Sequence, residues 1–580
     1  MQDVWQGIDI GRELMAFSPM IAMVATMLAI LATPILVGRD ARTVGVVAGL
    51  GNLVALYFCF RVYGFTDGGA ISGLSPGSSG MLIADNLSVG FQFLLLIFMA
   101  GVSLLWWIGS SDSEENAPEF FVLLIGSALG MALMVSTMNL LMAAIAIETA
   151  SLPSYAMVGF DKRDKRGAEA SMKYIIFGAV CAAIMLYGLS LLYGLTGSLD
   201  AASVASYVVG NIAGENWLLV SISLMCFLVG IAFKLSAVPF HFWCPDAFQG
   251  AKIEVTTWLS VVSKAAGLIL LLRLMMAICA AVDVPLYMPS VASIAWGIGI
   301  AAAITCTVGN LAAYMQTSVK RLLAYSSIAH AGYMMMATAV FIHPDSPGFG
   351  IGATALMMYV IVYLFMNLGA FGVTAMVLWE TGSDRLEAFS GLFRRSPFLA
   401  VPMLFCLMSL VGLPPFAGFI GKWWILVALG KLDTASGGSL GTLGWVLVMV
   451  AVINTLISLY YYMRIVIQMG LKDDGSAPIV PPISGMALVN GCATALVLLF
   501  VLASPWKNIT EDFTRNLYTG QTEWTARHEP AQHEPTGPPQ TSPETASGTV
   551  ASESIETLAE QHLESETQAP TTVVRASTGE

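Results

Sequence analysis

Apolar runs of about twenty residues, divided by short polar stretches, recur along most of the chain. At 1.5 Å per residue each run is long enough to cross a bilayer as a helix. The pattern places spans at 17–38, 43–64, 81–108, 119–137, 138–160, 173–195, 217–240, 254–281, 290–315, 321–342, 349–379, 398–429, 441–470 and 484–504. The expected fold is an all-α polytopic membrane protein of about 14 transmembrane helices. The first run follows MQDVWQGIDIGRELMAF, which has no basic cluster, so a retained helix is expected and not a cleaved signal peptide.

Two spans are interrupted. FKLSAVPFHFWCPD at 233–246 breaks span 7 with Pro239 and Pro245. GLPPFAGFIGKWW at 412–424 breaks span 12 with Pro414, Pro415 and three glycines. Proline removes a helix hydrogen bond and clashes with the preceding turn, and inside a bilayer the freed backbone must be satisfied by protein or water. The breaks lie five spans apart, and a five-helix shift reverses orientation. Spans 4–8 and 9–13 are therefore expected to be inverted five-helix repeats. The expected divisions are three N-terminal spans within 1–118, a first repeat at 119–281, a second at 290–470, a last span at 484–504 and a tail at 507–580.

Charge fixes an orientation. With the N-terminus outside, the odd-numbered loops hold Arg39, Arg42, Lys162, Arg163, Lys165, Arg166, Lys173, Lys252, Lys320, Arg321, Arg385, Arg394, Arg395 and Lys472, and the even-numbered loops hold only Lys431. Basic residues concentrate on the cytoplasmic side, so both termini are expected on the outer face of the membrane. The net charge of −12 adds little, because the 12 acids and 4 bases from Lys507 onward supply −8 of it. That tail is rich in Pro, Thr, Ser, Glu and Gln and is expected to be disordered by composition.

Apolar residues make up 56 % of the chain and charged residues 11 %. A soluble enzyme, a nucleic-acid binder and a disulfide scaffold are excluded on that ground. The 8 cysteines are scattered and form no C-x-x-C, so neither a cluster nor structural zinc is expected. No nucleotide-binding glycine motif is present. No cofactor is expected in this chain.

Charged groups inside spans are costly and mark function by default. Glu148, Lys234, Lys264, His330 and Lys422 all lie well inside spans. Glu148 and Lys264 each sit about 15 Å from the membrane edge by helical rise, and the helix breaks bring Lys234 and Lys422 to similar depth. The five form a candidate row for proton transfer along the membrane plane. The competing readings are a static Glu148–Lys234 ion pair and a hydrogen-bonded interior histidine at His330. Arg61, Arg273 and Arg464 read as snorkelling anchors near span ends. Asp85 reads as a cap or interface residue, and Trp106, Trp107, Trp423 and Trp424 as packing groups.

These residues sit in recognisable surroundings. SLVGLPPFAGFIGKWW at 409–424, KRLLAYSSIAHAGYM at 320–334, EASMKYIIFGA at 169–179, FMNLGAF at 365–371, PFHFWCPDAFQGA at 239–251 and YYMRIV at 461–466 resemble the antiporter-like membrane subunits of respiratory complex I. The resemblance runs in order over about residues 80–470 and is greatest to the subunit N branch, the counterpart of mitochondrial subunit 2. It implies a proton-translocating subunit of NADH:quinone oxidoreductase. Glu148 would be the span-five glutamate, Lys234 the span-seven lysine, Lys264 the connecting lysine and Lys422 the span-twelve lysine. NADH, flavin, iron–sulfur clusters and quinone would belong to partner subunits, with electron transport there driving proton movement here. The chain departs from the pattern after span seven: Phe248 and Gln249 stand for a tyrosine and an acid, and Lys252 stands for a proline. A subunit of a related Mrp-type cation/proton antiporter is the alternative.

Overall fold

A computed structural model describes residues 10–38, 40–66, 71–73, 81–110, 116–212, 214–281, 288–340, 350–436, 438–472 and 477–515. The helices are α1 Ile10–Ala16, α2 Ser18–Leu36, α3 Ala41–Thr66, α4 Asn86–Gly109, α5 Ala117–Val135, α6 Leu140–Val158, α7 Lys165–Thr196, α8 Ala201–Asn211, α9 Trp217–Leu235 and α10 Trp243–Gly250. They continue with α11 Ile253–Ala280, α12 Met288–Ala313, α13 Val319–Thr338, α14 Ile351–Thr381, α15 Leu392–Arg395, α16 Pro397–Val411, α17 Ala417–Ser436, α18 Gly438–Leu471, α19 Ile483–Val501 and α20 Ala503–Arg515. Among the described residues, 12 helices are long and apolar enough to cross a membrane. The chain is a multi-pass helical membrane protein.

Burial divides these helices. About 94 % of the apolar window of α11 is buried and 89 % of that of α14, against 28 % for α3 and 28 % for α19. Helix α13 lies inside as well, with every side chain from Val319 to Thr338 buried except Arg321 and Tyr325. It carries Lys320, Ser326, Ser327 and His330, and is not among the 12 apolar helices. A helix enclosed by protein needs no continuous apolar surface, whereas one facing lipid does. Lys264 and His330 thus stand on inner helices, α11 and α13.

Two helices stop inside apolar stretches. Helix α9 ends at Leu235, where Ser236 takes φ +57°, and α10 resumes at Trp243. Helix α16 ends at Val411, where Gly412 takes φ +87°, and α17 starts at Ala417. Left-handed backbone closes a helix end and turns the chain aside. It strains any residue with a Cβ, which makes Ser236 the more costly of the two.

Several sequence expectations need correction. Arg273 is no lipid anchor: it is buried, donates through Nη2 to Asp85 at 2.6 Å and through Nε to the Val135 carbonyl. Asp85 caps α4, accepting from Ser88 N at 2.9 Å, and is also half of this buried ion pair. Losing one partner of such a pair costs about 3–5 kcal/mol, because the other charge is left uncompensated. The first residues expected in span three instead form a strand, β2 Leu82–Ala84, antiparallel to β1 Ile71–Gly73. Residues 507–515, expected within the acidic tail, belong to α20; 516–580 lie outside the described residues.

Helix α20 packs across several elements. Phe513 meets Gly90 of α4 and stacks edge-on to Tyr63 at 5.7 Å, Thr514 Oγ1 lies 2.8 Å from Thr354 Oγ1 of α14, and Lys507 Nζ sits 4.8 Å from the Trp424 ring of α17.

Candidate functional site

The expected residues fall into two groups. In the first, α6 presents Glu148, Ser151 and Tyr155 at spacings of three and four, which puts them on one face. Asn139 caps this helix by accepting from Leu141 N and Met142 N. Lys234, in the last turn of α9 and 1 % exposed, donates to Ser151 Oγ at 3.2 Å, and Ser151 donates to the Ile147 carbonyl at 2.6 Å. Glu148 and Lys234 act on each other electrostatically, as do Lys234 and Lys264. Among the described residues no ion pair joins Glu148 to Lys234 directly. A hydroxyl one turn from the carboxylate holds the amine instead.

Lys264 is fully buried on α11. Its amine lies 3.8 Å from Cys244 Sγ and 4.8 Å from the centre of the Phe248 ring. An ammonium over an aromatic face is stabilised without a counter-ion. Cys244, which the sequence suggests is a packing residue, is the hydrogen-bond acceptor for this lysine.

The second group is built on α13, α14, α17 and α18. His330 Nδ1 lies 2.6 Å from Tyr359 Oη and Nε2 lies 3.2 Å from Tyr462 Oη. Tyr462 Oη also lies 2.5 Å from Ser326 Oγ, one turn before His330 on α13. Both ring nitrogens are thus engaged by hydroxyls, each able to donate or accept. Lys422 donates to the carbonyls of Leu410 at 3.1 Å and Val411 at 2.9 Å, and its amine stands 4.4 Å from the Tyr333 ring. It borders a cavity of about 150 Å³ shared with Tyr333, Thr455 and Trp423. His330 and Lys422 interact electrostatically.

One residue lies between the groups. The Tyr363 ring packs 5.3 Å from His330, and the residue is within electrostatic range of Cys244, the partner of Lys264. Its hydroxyl is buried near the side chains of Asn367 and Ser327 and makes no hydrogen bond of good geometry. Sequence reasoning missed Ser151, Cys244, Tyr359, Tyr363 and Tyr462. Cys244 and Tyr462 lie inside the fragments PFHFWCPDAFQGA and YYMRIV, and Tyr363 stands two residues before FMNLGAF, but nothing in the fragments gives them these partners.

On the face where α10 and α13 meet, Asp246 joins Lys173 at 3.0 Å and Arg321 at 2.7 Å, and Arg321 also donates to Gln249 Oε1 at 3.1 Å. Partial burial opposes ionisation of Asp246, yet the bonds from Lys173 and Arg321 hold its carboxyl below the usual range. Lys320 donates to the carbonyls of Gln249 at 3.0 Å and Ala251 at 2.6 Å. Among the described residues, no three His, Cys, Asp or Glu side chains gather to hold a metal ion.

A family model described as NADH:quinone oxidoreductase/Mrp antiporter, TM, matches residues 137–448, which hold all five expected residues. NADH-quinone oxidoreductase subunit N from Anaeromyxobacter sp. (strain Fw109-5) is 38 % identical over 441 residues, covering 73 % of this chain and 82 % of that protein. The chain belongs to the NADH:quinone oxidoreductase/Mrp antiporter transmembrane family. Within the family, a chain of respiratory complex I from Thermus thermophilus is 31 % identical with a TM-score of 0.66, covering 84 % of this chain and 97 % of that one. A chain of the Mrp complex from Dietzia sp. DQ12-45-1b has a TM-score of 0.74 at 19 % identity, covering 89 % of this chain and 99 % of that one, and this likeness concerns the fold alone.

Proposed function

We propose that this chain is the proton-translocating membrane subunit of a bacterial NADH:quinone oxidoreductase, working beside the other subunits of complex I. The observation that carries the assignment is the 38 % identity to a subunit N over most of both chains. The Mrp antiporter reading rests on shared fold at 19 % identity and is the weaker one. As such a subunit the chain is part of a translocase, and the redox chemistry belongs to its partners.

The site reading is our own. Glu148, Lys234, Lys264, His330 and Lys422 form a relay along the membrane plane. A charge displacement arriving at Glu148 alters the proton held by Lys234. The proton then passes by Lys264, Cys244, Tyr363 and His330 to Lys422. Two features support this. Lys234 and Lys264 each lie beside a group of changeable polarity or charge, and the hydroxyls at His330 can reverse their bonds as a proton passes.

Twelve apolar helices, with α13 and the α16–α17 pair, make fourteen crossings on this reading, and the two interrupted helices are the fourth members of inverted five-span repeats. His330 and Glu148 then occupy the second span of each repeat. Both termini, with the acidic tail, lie on the outer face of the inner membrane. The test is purification of the native complex followed by NADH-driven proton uptake in vesicles. A complex that contains this chain with NADH-oxidising subunits and pumps protons is expected. Isolation with cation antiporter subunits instead would refute the assignment.

A further inference from the structure

A polar cleft of about 360 Å³ opens where α6, α7, α11, α13 and α14 end on the face bearing the basic loops. Asp161, Asp164, Lys252, Glu254, Lys320 and Asp384 are among its lining residues. Most of these belong to the loops or to turns that organise them. Asp164 caps α7 by accepting from Arg166 N at 2.9 Å, Asp161 accepts from Arg163 N at 3.0 Å, and Asp384 accepts from Ser318 Oγ. Glu254 differs in position. It stands in the first turn of α11, the helix that carries Lys264, and it is 5 % exposed while bordering the cleft.

From Glu254 the helix leads inward. Lys264 is ten residues on, about 15 Å by helical rise. Thr257 and Ser260 lie between them, both fully buried, and with Glu254 and Lys264 they fall within an arc of roughly 120° at 100° per residue. Thr257 Oγ1 donates to the Ile253 carbonyl at 2.8 Å and Ser260 Oγ donates to the Thr257 carbonyl at 2.7 Å, which leaves the oxygen of each hydroxyl able to accept. Beside Lys264, Ser263 Oγ is fully buried with no hydrogen-bond partner. The other polar side chains of this helix are engaged elsewhere: Thr256 donates to the Phe248 and Lys252 carbonyls and Arg273 pairs with Asp85. A file of hydroxyls between a carboxylate at a polar mouth and a buried amine serves no packing need.

We infer that Glu254 is the proton-loading carboxylate of this chain, taking protons from the cleft and passing them along the Thr257–Ser260 face of α11 to Lys264. The inference rests on the relay reading given above and supplies its entrance. The step balances as follows. The Glu254 carboxylate takes one proton from water in the cleft. It gives that proton to the first acceptor of the file. Each hydroxyl then accepts one proton as it donates another, with water spanning the turn between successive groups. The neutral Lys264 amine gains the proton, and Glu254 returns to its ionised form. No electrons move. Gln249, on the same rim, is an amide and cannot take this part.

The experiment uses the whole complex in vesicles, measuring protons moved per NADH oxidised, with subunit content checked for each variant. Glu254→Gln keeps the shape and removes the exchangeable proton. It is expected to lower pumping about tenfold, while Glu254→Asp retains a substantial part. Thr257→Val combined with Ser260→Ala is expected to lose pumping severalfold. The carboxylic acid band at Glu254 should also appear in redox-difference infrared spectra and vanish in Glu254→Gln. Lys264→Ala runs alongside. If it pumps normally, the relay reading itself fails. If Lys264→Ala loses pumping while Glu254→Gln keeps the wild-type ratio, the relay stands and the entrance at Glu254 is overturned. If Glu254→Gln fails to assemble, Glu254→Asp and the infrared band decide: an assembled aspartate variant without pumping, or a missing band in the wild type, rejects the loading role.

Discussion

The two interrupted helices hold their lysines by different means. Lys234 comes in the last turn before its break and bonds to Ser151, a hydroxyl on another helix, with the Glu148 carboxylate in electrostatic range. Lys422 comes after its break and reaches back to two carbonyls of the helix half that precedes it. Those carbonyls end α16, where unpaired C=O groups and the helix dipole favour a cation. Backbone oxygen cannot keep a proton, whereas a carboxylate can. On the proposed relay, the first break therefore works through a titrating counter-charge. On the same reading, the second offers the lysine a fixed electrostatic seat and leaves proton exchange to its tyrosine and imidazole neighbours. A charge signal acts by altering the partner at Lys234, but must displace the amine itself at Lys422.

The largest effect should follow from breaking the first side. Lys234→Ala should reduce NADH-driven pumping by more than tenfold in an assembled complex. Lys234→Arg should do the same, because a guanidinium stays protonated. Glu148→Gln should impair pumping alone, and adding it to Lys234→Ala should bring little further loss, since residues acting as a unit are non-additive. A double-mutant cycle on pumping rates checks this. If the two losses multiply, Glu148 is no partner of Lys234 and the contrast between the breaks disappears. Normal stoichiometry in Lys234→Arg would end the proton-exchange role.

Tyr363 offers the next test, because its ring packs against His330 and it lies within electrostatic range of Cys244. Tyr363→Phe keeps the ring against His330 and removes only the hydroxyl. Pumping should fall severalfold with little change in stability, since that buried hydroxyl makes no hydrogen bond of good geometry with Asn367 or Ser327 beside it. Thermal denaturation and vesicle pumping together separate the two effects. A variant that pumps at the wild-type rate would show that the two groups communicate by another path.

How much of this could be read from the sequence depends on the kind of residue. Lys234, Lys264 and Lys422 stand out because an ammonium in an apolar run is costly anywhere along the chain. The breaks stand out because proline interrupts a helix whatever surrounds it. Ser151, Cys244 and the three tyrosines are ordinary in buried helices, and only their three-dimensional neighbours make them partners. Arg273 shows the limit from the other side. It looked like a rim anchor because its partner, Asp85, is 188 positions away.

A smaller effect should come from the seat of Lys422. Gly412 has φ +87°, and a Cβ there would come within 2.9 Å of Lys422 Cδ. Gly412→Ala should cost about 1–2 kcal/mol for the left-handed backbone alone, and should shift the amine off the carbonyls. The expected result is a lower melting temperature with a two- to threefold loss of pumping, roughly the rate change of a fraction of a kcal/mol. Unchanged pumping with the stability loss would mean that the carbonyl seat is structural only.

The smallest effect should come from removing residues 520–580, and it tests whether anything outside the helices contributes to the second break. Lys507 of α20 lies over Trp424, two residues past Lys422, so α20 reaches this break. Among the described residues, the contacts that hold α20 there precede the cut: Asn86 Nδ2 donates to the Asp512 carbonyl at 3.4 Å, Phe513 covers Gly90, and Thr514 meets Thr354. The removed stretch holds no member of the proposed row, and its excess of acids is screened beyond about 10 Å at ordinary salt. Assembly, pumping and the loss caused by Gly412→Ala should all be the same in the truncated complex. A cut after 502 removes α20 as well and should weaken the second break without changing the behaviour of Lys234 variants. If the longer chain, cut at 520, already pumps poorly, then the acidic stretch acts on Lys422 through its charge. The second break would then have an anionic partner after all, supplied from the C-terminal end of the chain.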